Sequence, residues 1–334
     1  SGVIVLACEL IDHNGEELLR IMNQYVSDWG WEDEFAQWMA NDCTVCTTLV
    51  DTIVPGRIRD PKEAAAVAER LGYEDPFLAV REPFQMWGIQ GDESLAEKLP
   101  FVKAGLPGVF VTPDVTPYKK RKVRILNGAH TAFVPGSWVA GFDIVRDCMH
   151  DETIRGFMNT MLYDEVIPTL AADLDVEDCK AFAAAVENRF DNPFIDHALL
   201  SICLNSTAKW RARDLPTLKD YVAETGSLPK CLATSLATLI AFYTQELIAR
   251  EGDGLHLRRA DGIEYTAQDD AFVLDFYAAH AGADDAQLVH DVLTNEQMWG
   301  EDLTQIAGLE DFVASSLAVV RAEGAKQAFA NALA

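Results

Sequence analysis

The apolar and polar positions divide the chain into a mixed N-terminal part and a long helical remainder. In the first part, β-branched and short apolar runs predict strands, and amphipathic periodicity bounded by Pro and Gly predicts helices. The run over 2–8 is typical of a buried strand in a parallel sheet. In the helix over 33–40, Phe35, Trp38 and Met39 are spaced as core residues. The predicted strands are 2–8, 46–53, 84–90 and 108–113, and the predicted helices are 16–27, 33–40 and 61–71.

Beyond residue 140 the apolar positions recur almost entirely at the helical spacing i, i+3/i+4. One short exception at 255–265 predicts a hairpin around Asp261-Gly262. The pattern therefore predicts a mainly α fold with a minor α/β part. The helices are expected near 151–169, 177–189, 194–210, 230–249, 268–281, 284–294 and 309–332.

Length and charge limit the classes of function. A chain of 334 residues can bury a large core and should form more than one unit. The net charge of −26 argues against nonspecific nucleic-acid binding and against anionic membrane surfaces. The seven cysteines are scattered, and the lone Cys43-x-x-Cys46 pair does not predict a zinc site, so we expect reduced thiols in a cytoplasmic protein. No metal is expected, and the sequence does not fix the oligomeric state.

The segment 122–130 places an ammonium, a carboxamide and an imidazole on a largely apolar helix predicted over 117–133. On an α-helix, Asn127 and His130 lie about 60° apart, whereas Lys122 lies about 140° from Asn127. Gly128 costs the helix about 1 kcal/mol relative to Ala, which predicts close approach of a ligand or another backbone. From the spacing alone, a buried helix with a polar stripe explains these residues equally well.

This segment resembles the catalytic signature of the mannitol dehydrogenase family, the long-chain, zinc-independent polyol and uronate dehydrogenases. The resemblance implies NAD as cofactor, Lys122 as the acid–base group, Asn127 as a donor to the carbonyl oxygen, and His130 as a group that orients the substrate. A lysine can serve in this way only if burial or neighbouring cations lower its pKa towards neutral. The residues that carry the resemblance are Asp114-Val115-Thr116-Pro117-Tyr118 and Lys122-Val123-Arg124-Ile125-Leu126-Asn127-Gly128-Ala129-His130.

The resemblance also implies a domain organisation. Residues 1–41 and 108–121 would be the remnant of a Rossmann-type dinucleotide-binding domain. Residues 42–107 and 122–334 would form a helical substrate domain, similar to the C-terminal domain of 6-phosphogluconate dehydrogenase. No Gly-x-Gly-x-x-Gly follows a strand, and the chain opens within a predicted strand. We therefore expect a fragment that lacks most of the nucleotide domain, and we assign no cofactor-binding residue; a complete protein without such a domain is the alternative.

Departures from the family pattern bear on the substrate. Cys8-Glu9-Leu10 replaces a Cys-Asp-Asn run whose Asn is a second donor to the carbonyl, and Ser201 replaces an arginine that grips substrate hydroxyls. A keto-uronate carries a carboxylate and needs cations. Asp51 matches a family acid that contacts substrate hydroxyls. The residues expected to bind such a sugar acid are Asp51, His197, Lys209, Arg211 and Arg213.

The implied activity is NAD-dependent interconversion of D-tagaturonate and D-altronate. The alternatives are a fructuronate reductase, a mannitol or arabinitol dehydrogenase and, in a different class, a non-catalytic helical binding module. In the basic run that precedes and enters the signature, Lys119, Lys120 and Arg121 are expected to form a solvated helix start. The alternative is that the run supplies positive potential that draws an anionic substrate or cofactor towards Lys122.

Overall fold

The computed structural model divides the chain into two compact units, Ser1–Lys120 and Arg121–Ala334. Residues 42–107, which we assign to the substrate domain from the sequence, pack within the first unit, and their part in substrate binding stays a prediction. The structure describes residues 1–9, 11–31, 33–54, 56–58 and 60–334.

The first unit begins with a parallel strand pair joined by helices. Its elements are β1 (Ile4–Leu6), α1 (Asn14–Asp28), α2 (Asp33–Asp42) and β2 (Thr44–Cys46), and β1 pairs with β2 in parallel. Gly15 opens α1 so close to the end of β2 that a Cβ would stand 2.3 Å from the Thr47 nitrogen. Glycine therefore permits the close helix–strand contact. The predicted strand and its parallel pairing are confirmed, although β1 is half-buried.

A second sheet follows, in the order β3-β4-β5. β3 runs antiparallel to β4, and β4 runs parallel to β5. The continuous strand predicted over 46–53 is wrong, because it is divided between two sheets. Asn14 bridges the break, since its Oδ1 accepts from the Thr48 nitrogen at 3.0 Å and its Nδ2 donates to the Ala7 oxygen at 3.1 Å. The elements are β3 (Thr48–Asp51), α3 (Pro61–Leu71), β4 (Met86–Gln90), α4 (Glu93–Lys98), α5 (Pro100–Lys103) and β5 (Val109–Thr112).

Aromatic residues of α1, α2 and the turn between them lie at or near the surface. Successive rings of a five-residue ladder are 4.6 to 5.5 Å apart between centroids. Phe35 is 37% exposed, so its prediction as a core residue is wrong, whereas Met39 is buried as predicted. Helical spacing shows which side chains share a face, and it does not show whether that face is covered. The ladder consists of Tyr25, Trp29, Trp31, Phe35 and Trp38.

The second unit is mainly helical, as predicted. Within the described ranges, no helix is both long and apolar enough to span a membrane. Its helices, with α6 crossing the boundary, are α6 (Thr116–Arg121), a π-helix (Lys122–Asn127), α7 (Gly128–Val139), α8 (Val145–Met149), α9 (Glu152–Thr160), a second π-helix (Met161–Val166), a 3-10 turn (Pro168–Leu170), α10 (Val176–Phe190), α11 (Leu199–Ile202), α12 (Ser206–Arg213), α13 (Leu215–Thr225), α14 (Lys230–Tyr243), α15 (Ala271–Ala279), α16 (Asp285–Leu293), α17 (Glu296–Trp299), a 3-10 turn (Leu303–Gln305), α18 (Leu309–Glu323) and α19 (Ala325–Ala332).

Two helices, α7 and α14, form the centre of this unit. Both are apolar on all sides and are buried along nearly their whole length, as expected for core helices. Gly136 of α7 has no room for a Cβ, which would stand 2.4 Å from the Phe329 ring and 2.9 Å from the Thr238 side chain. Glycine at this position therefore lets α7 pack directly against α14 and α19.

Several predicted helices end early or are interrupted. The helix expected over 230–249 ends at Tyr243, and the chain then enters a three-stranded antiparallel sheet. The helix expected over 194–210 is interrupted at Asn205, which adopts a left-handed conformation with φ 52°. The predicted hairpin is confirmed as the β7–β8 pair. The strands are β6 (Glu246–Glu251), β7 (Gly254–Arg258) and β8 (Glu264–Ala267).

A buried carboxylate caps α14 and should make stability depend on pH. Glu165 accepts from the backbone nitrogens of Cys231 at 2.8 Å and Leu232 at 2.9 Å, and burial raises its pKa from 4.5 to about 7. The folded protein therefore binds the Glu165 proton more tightly than the unfolded chain does. As pH rises from about 4.5 to 7, the free energy of unfolding should fall by roughly 3 kcal/mol because of this group.

The variant Glu165→Gln isolates this contribution from other titrating groups. Between about pH 5 and 8, its unfolding free energy should rise by roughly 2–3 kcal/mol relative to that of the natural protein, because glutamine does not titrate. Urea unfolding at several pH values measures the difference. A difference that stays constant across this range would contradict the assignment.

Candidate active site

The signature helix contains a π-helical segment, which the sequence did not predict. α6 continues into the π-helix Lys122–Asn127 and then into α7, so the α-helix predicted over 117–133 is wrong at its centre. A π-helix hydrogen-bonds from i to i+5, and residues five apart therefore lie about one turn apart. The π-helix thus brings Lys122 and Asn127 closer to one face than an α-helix would.

The backbone and side chain of Asn127 have separate environments. Its backbone oxygen accepts from the Thr131 hydroxyl at 3.0 Å and from Arg213 Nη1 at 3.4 Å. Its carboxamide has no hydrogen-bond partner in the described part of the chain. Asn127 and Lys122 are both half-buried. The carboxamide is therefore available to a ligand while the backbone beneath it is held in place.

His130 is enclosed by aromatic rings. It is 6% exposed, stacks on Phe190 with centroids 4.0 Å apart, and meets the edge of His197 at 5.4 Å. Among the described residues, His130 Nε2 has no hydrogen-bond partner. Burial lowers its pKa well below 6.5, and the charges of His197, Arg213, Arg189 and Lys209 lower it further. A neutral imidazole can hydrogen-bond a substrate oxygen without being its proton source.

Two cations of α12 share the helix face towards His130. Lys209 and Arg213 are four residues apart, the spacing of one helical face. Lys209 Nζ donates to the Ile202 oxygen at 2.8 Å, and its pKa is lowered to about 8, mainly by burial and also by Arg213. Arg213 Nη1 donates to the Thr131 hydroxyl at 3.0 Å. Burial also lowers the pKa of His197, which favours its neutral form, so the positive charge of this half-buried cluster comes from Lys209 and Arg213.

The structure does not bring Arg211 into this cluster. Arg211 lies two residues from Lys209 and from Arg213, on the other side of α12, and its guanidinium covers Gly300. A Cβ at Gly300 would stand 2.3 Å from Arg211 Nη2. The sequence did not distinguish these arginines because the predicted helix ended at 210, before both of them.

Asp51 belongs to the first unit. It ends β3, is 4% exposed and lines a cavity of about 370 Å³ together with Arg81 and Trp87. Ser201, where the family has an arginine, is exposed. Leu10, the other departure from the family pattern, lies outside the described residues.

The basic run before the signature is paired with acids. Arg121 binds Asp178 and lies 4.5 Å from the Phe182 ring centroid. Arg124 binds Thr217 and, at 3.2 Å, Asp220. The expectation of a solvated helix start is therefore wrong for Arg121, which, like Arg124, binds the helix to its neighbours.

Four residues around the signature were missed by the sequence reasoning: Thr131, Arg189, Phe190 and Asp214. Phe190 and Arg189 end α10, far away in sequence, and only the tertiary packing brings them to His130. Asp214 follows Arg213, and this adjacent acid–base pair was the one signal that the sequence offered. In the ranges described, no group of three or more His, Cys, Asp and Glu side chains is placed to hold a metal ion.

Curated relatives match nearly the whole chain. It is 41% identical to an altronate oxidoreductase of Yersinia enterocolitica over 99% of its length, and 42% identical to one of Klebsiella pneumoniae over 98%. The chain spans 66% and 65% of the lengths of these two proteins.

Solved structures share the fold at lower identity. A Pseudomonas fluorescens mannitol 2-dehydrogenase, in a ternary complex with NAD and D-mannitol, matches 99% of the chain with a TM-score of 0.73 and 21% identity. A D-sorbitol dehydrogenase in substrate-free form matches 98% with a TM-score of 0.76 and 20% identity. These matches cover 62% of each of those chains.

The two units also match family descriptions separately. Residues 1–103 match the mannitol dehydrogenase Rossmann domain, and residues 114–320 match the mannitol dehydrogenase C-terminal domain, which includes the whole signature. With both domain models matched in order along one chain, this protein belongs to the mannitol dehydrogenase family.

Proposed function

We propose that this chain carries the acid–base and substrate-binding part of an NAD-dependent enzyme that interconverts D-altronate and D-tagaturonate. The observation that carries the proposal is the half-buried pair of cations, Lys209 and Arg213, which lies with His197 beside His130. Altronate and tagaturonate carry a carboxylate that such a cluster can bind, whereas mannitol carries no charge. The altronate oxidoreductases that share 41–42% identity with the chain support the same substrate.

The chemistry assigned to the signature is proton transfer and polarisation of one oxygen. In the oxidation direction, Lys122 Nζ accepts the proton of the reacting hydroxyl while the adjacent carbon loses a hydride. The Asn127 carboxamide donates to the same oxygen, and His130 Nε2 contacts it or a neighbouring hydroxyl. In the reverse direction Lys122 returns the proton to the alkoxide. His130 Nε2, which has no hydrogen-bond partner among the described residues, supports its role.

NAD, when bound, supplies the acceptor for the hydride. The parallel β1–β2 pair joined by helices suits part of a dinucleotide-binding fold. The chain contains no Gly-x-Gly-x-x-Gly loop to cradle the pyrophosphate, so we assign none of its residues to the cofactor. We also propose that Asp51 contacts substrate hydroxyls, and that the protein is cytoplasmic, which its seven free thiols support.

Comparison of three substrates tests the proposal. With NAD⁺ and the protein at its full natural length, kcat/KM for D-altronate should exceed that for D-mannitol by roughly a hundredfold or more, the effect of a charge-assisted contact. D-Mannonate tests the fructuronate reductase alternative. A preference for mannitol would contradict the sugar-acid assignment. Failure to oxidise any of the three would favour the non-catalytic module.

A further inference from the structure

The π-helix that carries Lys122 and Asn127 is bound to the first turns of α13. Arg124, in the middle of the π-helix, binds Thr217 and Asp220, which both lie on α13. At the end of the π-helix, Arg213 Nη1 reaches the Asn127 backbone oxygen and the Thr131 hydroxyl. A π-helix is an uncommon conformation that single turns adopt, frequently at functional sites. Contacts from outside the helix are therefore needed to select it.

Asp214 packs against the residue that follows the π-helix. A Cβ at Gly128, the first residue after the π-helix, would stand 2.9 Å from Asp214 Oδ1 and 3.5 Å from the Val123 oxygen. The sequence suggested close approach of a ligand or a backbone at Gly128, and the structure shows a carboxyl group there instead. Asp214 is 2% exposed, and its Oδ2 has no hydrogen-bond partner among the described residues. It caps no backbone nitrogen of α13.

A buried polar side chain with an unpartnered oxygen costs stability, so its presence needs a reason. Hydrophobic burial does not provide one, and neither does helix capping. What Asp214 does provide is a small planar group that fills the space over Gly128, between the Arg213 contact to Asn127 and the Arg124 contact to α13. Without it, the turn could relax to the α-helix that its sequence otherwise predicts.

We propose that Asp214 is a positioning residue whose carboxyl group packs on Gly128 and stabilises the π-helix. In this conformation, Lys122 and Asn127 can both contact the same substrate oxygen. This inference rests on the proposed function for what the two residues do there. It concerns the shape of the Asp214 side chain, and asparagine should replace it. Alanine should not, because it leaves the space over Gly128 empty.

The test compares Asp214→Asn and Asp214→Ala in the protein at its full natural length. For D-altronate oxidation, Asp214→Ala should lose roughly tenfold or more in kcat with KM within threefold, because a misplaced acid–base group slows chemistry and not binding. The pH profile of kcat should shift in this variant, since Lys122 changes its surroundings. Asp214→Asn should keep kcat within about threefold and the natural profile. Asp253→Ala, at an exposed carboxylate between β6 and β7, is the matched control.

Gly128→Ala tests the same contact from the other side. Its Cβ would displace the Asp214 carboxyl and should lower kcat about tenfold or more, while the double variant Gly128→Ala/Asp214→Ala should recover part of that loss. Asp214→Ala with natural kcat, or Asp214→Asn as impaired as Asp214→Ala, would overturn the inference. If Asp214→Ala does not fold, the test relies on Gly128→Ala. A natural kcat in Gly128→Ala would then overturn the inference.

Hydrogen exchange separates this inference from the proposed function. Backbone amides from 123 to 131 should exchange faster in Asp214→Ala than in the natural protein or in Asp214→Asn. This measurement needs no substrate. Natural protein that fails to oxidise D-altronate would contradict the proposed function alone. Unchanged exchange in Asp214→Ala would contradict the positioning role alone.

Discussion

Lys122→Ala is expected to lower kcat for D-altronate oxidation by roughly a thousandfold while the protein stays folded. The reaction then lacks a group that can take the hydroxyl proton. Lys122→Arg should be almost as slow, because a guanidinium keeps the charge and cannot act as a base near neutral pH. Steady-state rates across pH, with circular dichroism as the check on folding, measure both variants. KM should change much less than kcat, since the carboxylate contacts lie elsewhere.

Small amines sharpen this test. Methylamine added to Lys122→Ala should restore part of the rate, because the vacated space can admit an exogenous base. Lys122→Arg, which leaves no such space, should show no rescue. Lys122→Ala that keeps a rate within tenfold of the natural protein would remove Lys122 from the acid–base role. Lys122→Arg with a near-natural rate would show that charge at this position matters and proton transfer does not.

The sequence predicted the chemical groups of the signature better than their geometry. Lys122, Asn127 and His130 were all identified from one short segment, and an α-helix would leave the first two on different faces. At the end of the π-helix, Arg213 contacts Asn127 and the Asp214 carboxyl lies next to Gly128, and both residues are more than 80 positions away in sequence. Helical propensity and periodicity contain no information about such contacts. The segment itself therefore does not determine the local conformation of the site.

The cationic residues show the same limit. The sequence proposed Lys209, Arg211 and Arg213 as a group, and the four-residue spacing of α12 selects only Lys209 and Arg213 for one face. Separating Arg211 from the other two residues required the end of the helix. The sequence placed that end at 210, three residues too early. The buried strands and helices were predicted where apolar periodicity was strong. The exposure of the aromatic ladder was not predicted, because periodicity does not show whether other residues cover a helix face.

Lys209→Met is expected to raise KM for D-altronate roughly 10- to 100-fold, the effect of losing a hydrogen bond to a charged group. Lys209 is half-buried and held by the Ile202 oxygen, so its ammonium is oriented before substrate binds. kcat should change less, because Lys209 acts on the carboxylate and not on the reacting oxygen. Arg211→Met is the matched control on the same helix. Since its guanidinium covers Gly300, it should leave KM near the natural value.

The lowered pKa of Lys209 makes the role testable by pH as well. With a pKa of about 8, Lys209 loses its charge as pH rises through that value, and kcat/KM for a sugar acid falls. The proton transfer assigned to Lys122 serves charged and neutral substrates alike. The ratio of kcat/KM for D-altronate to that for D-mannitol therefore isolates Lys209, and it should fall between about pH 7 and 9. In Lys209→Met the ratio should be lower and independent of pH across this range. A natural protein with a flat ratio, or a Lys209→Met variant whose ratio still falls, would place the carboxylate on another cation.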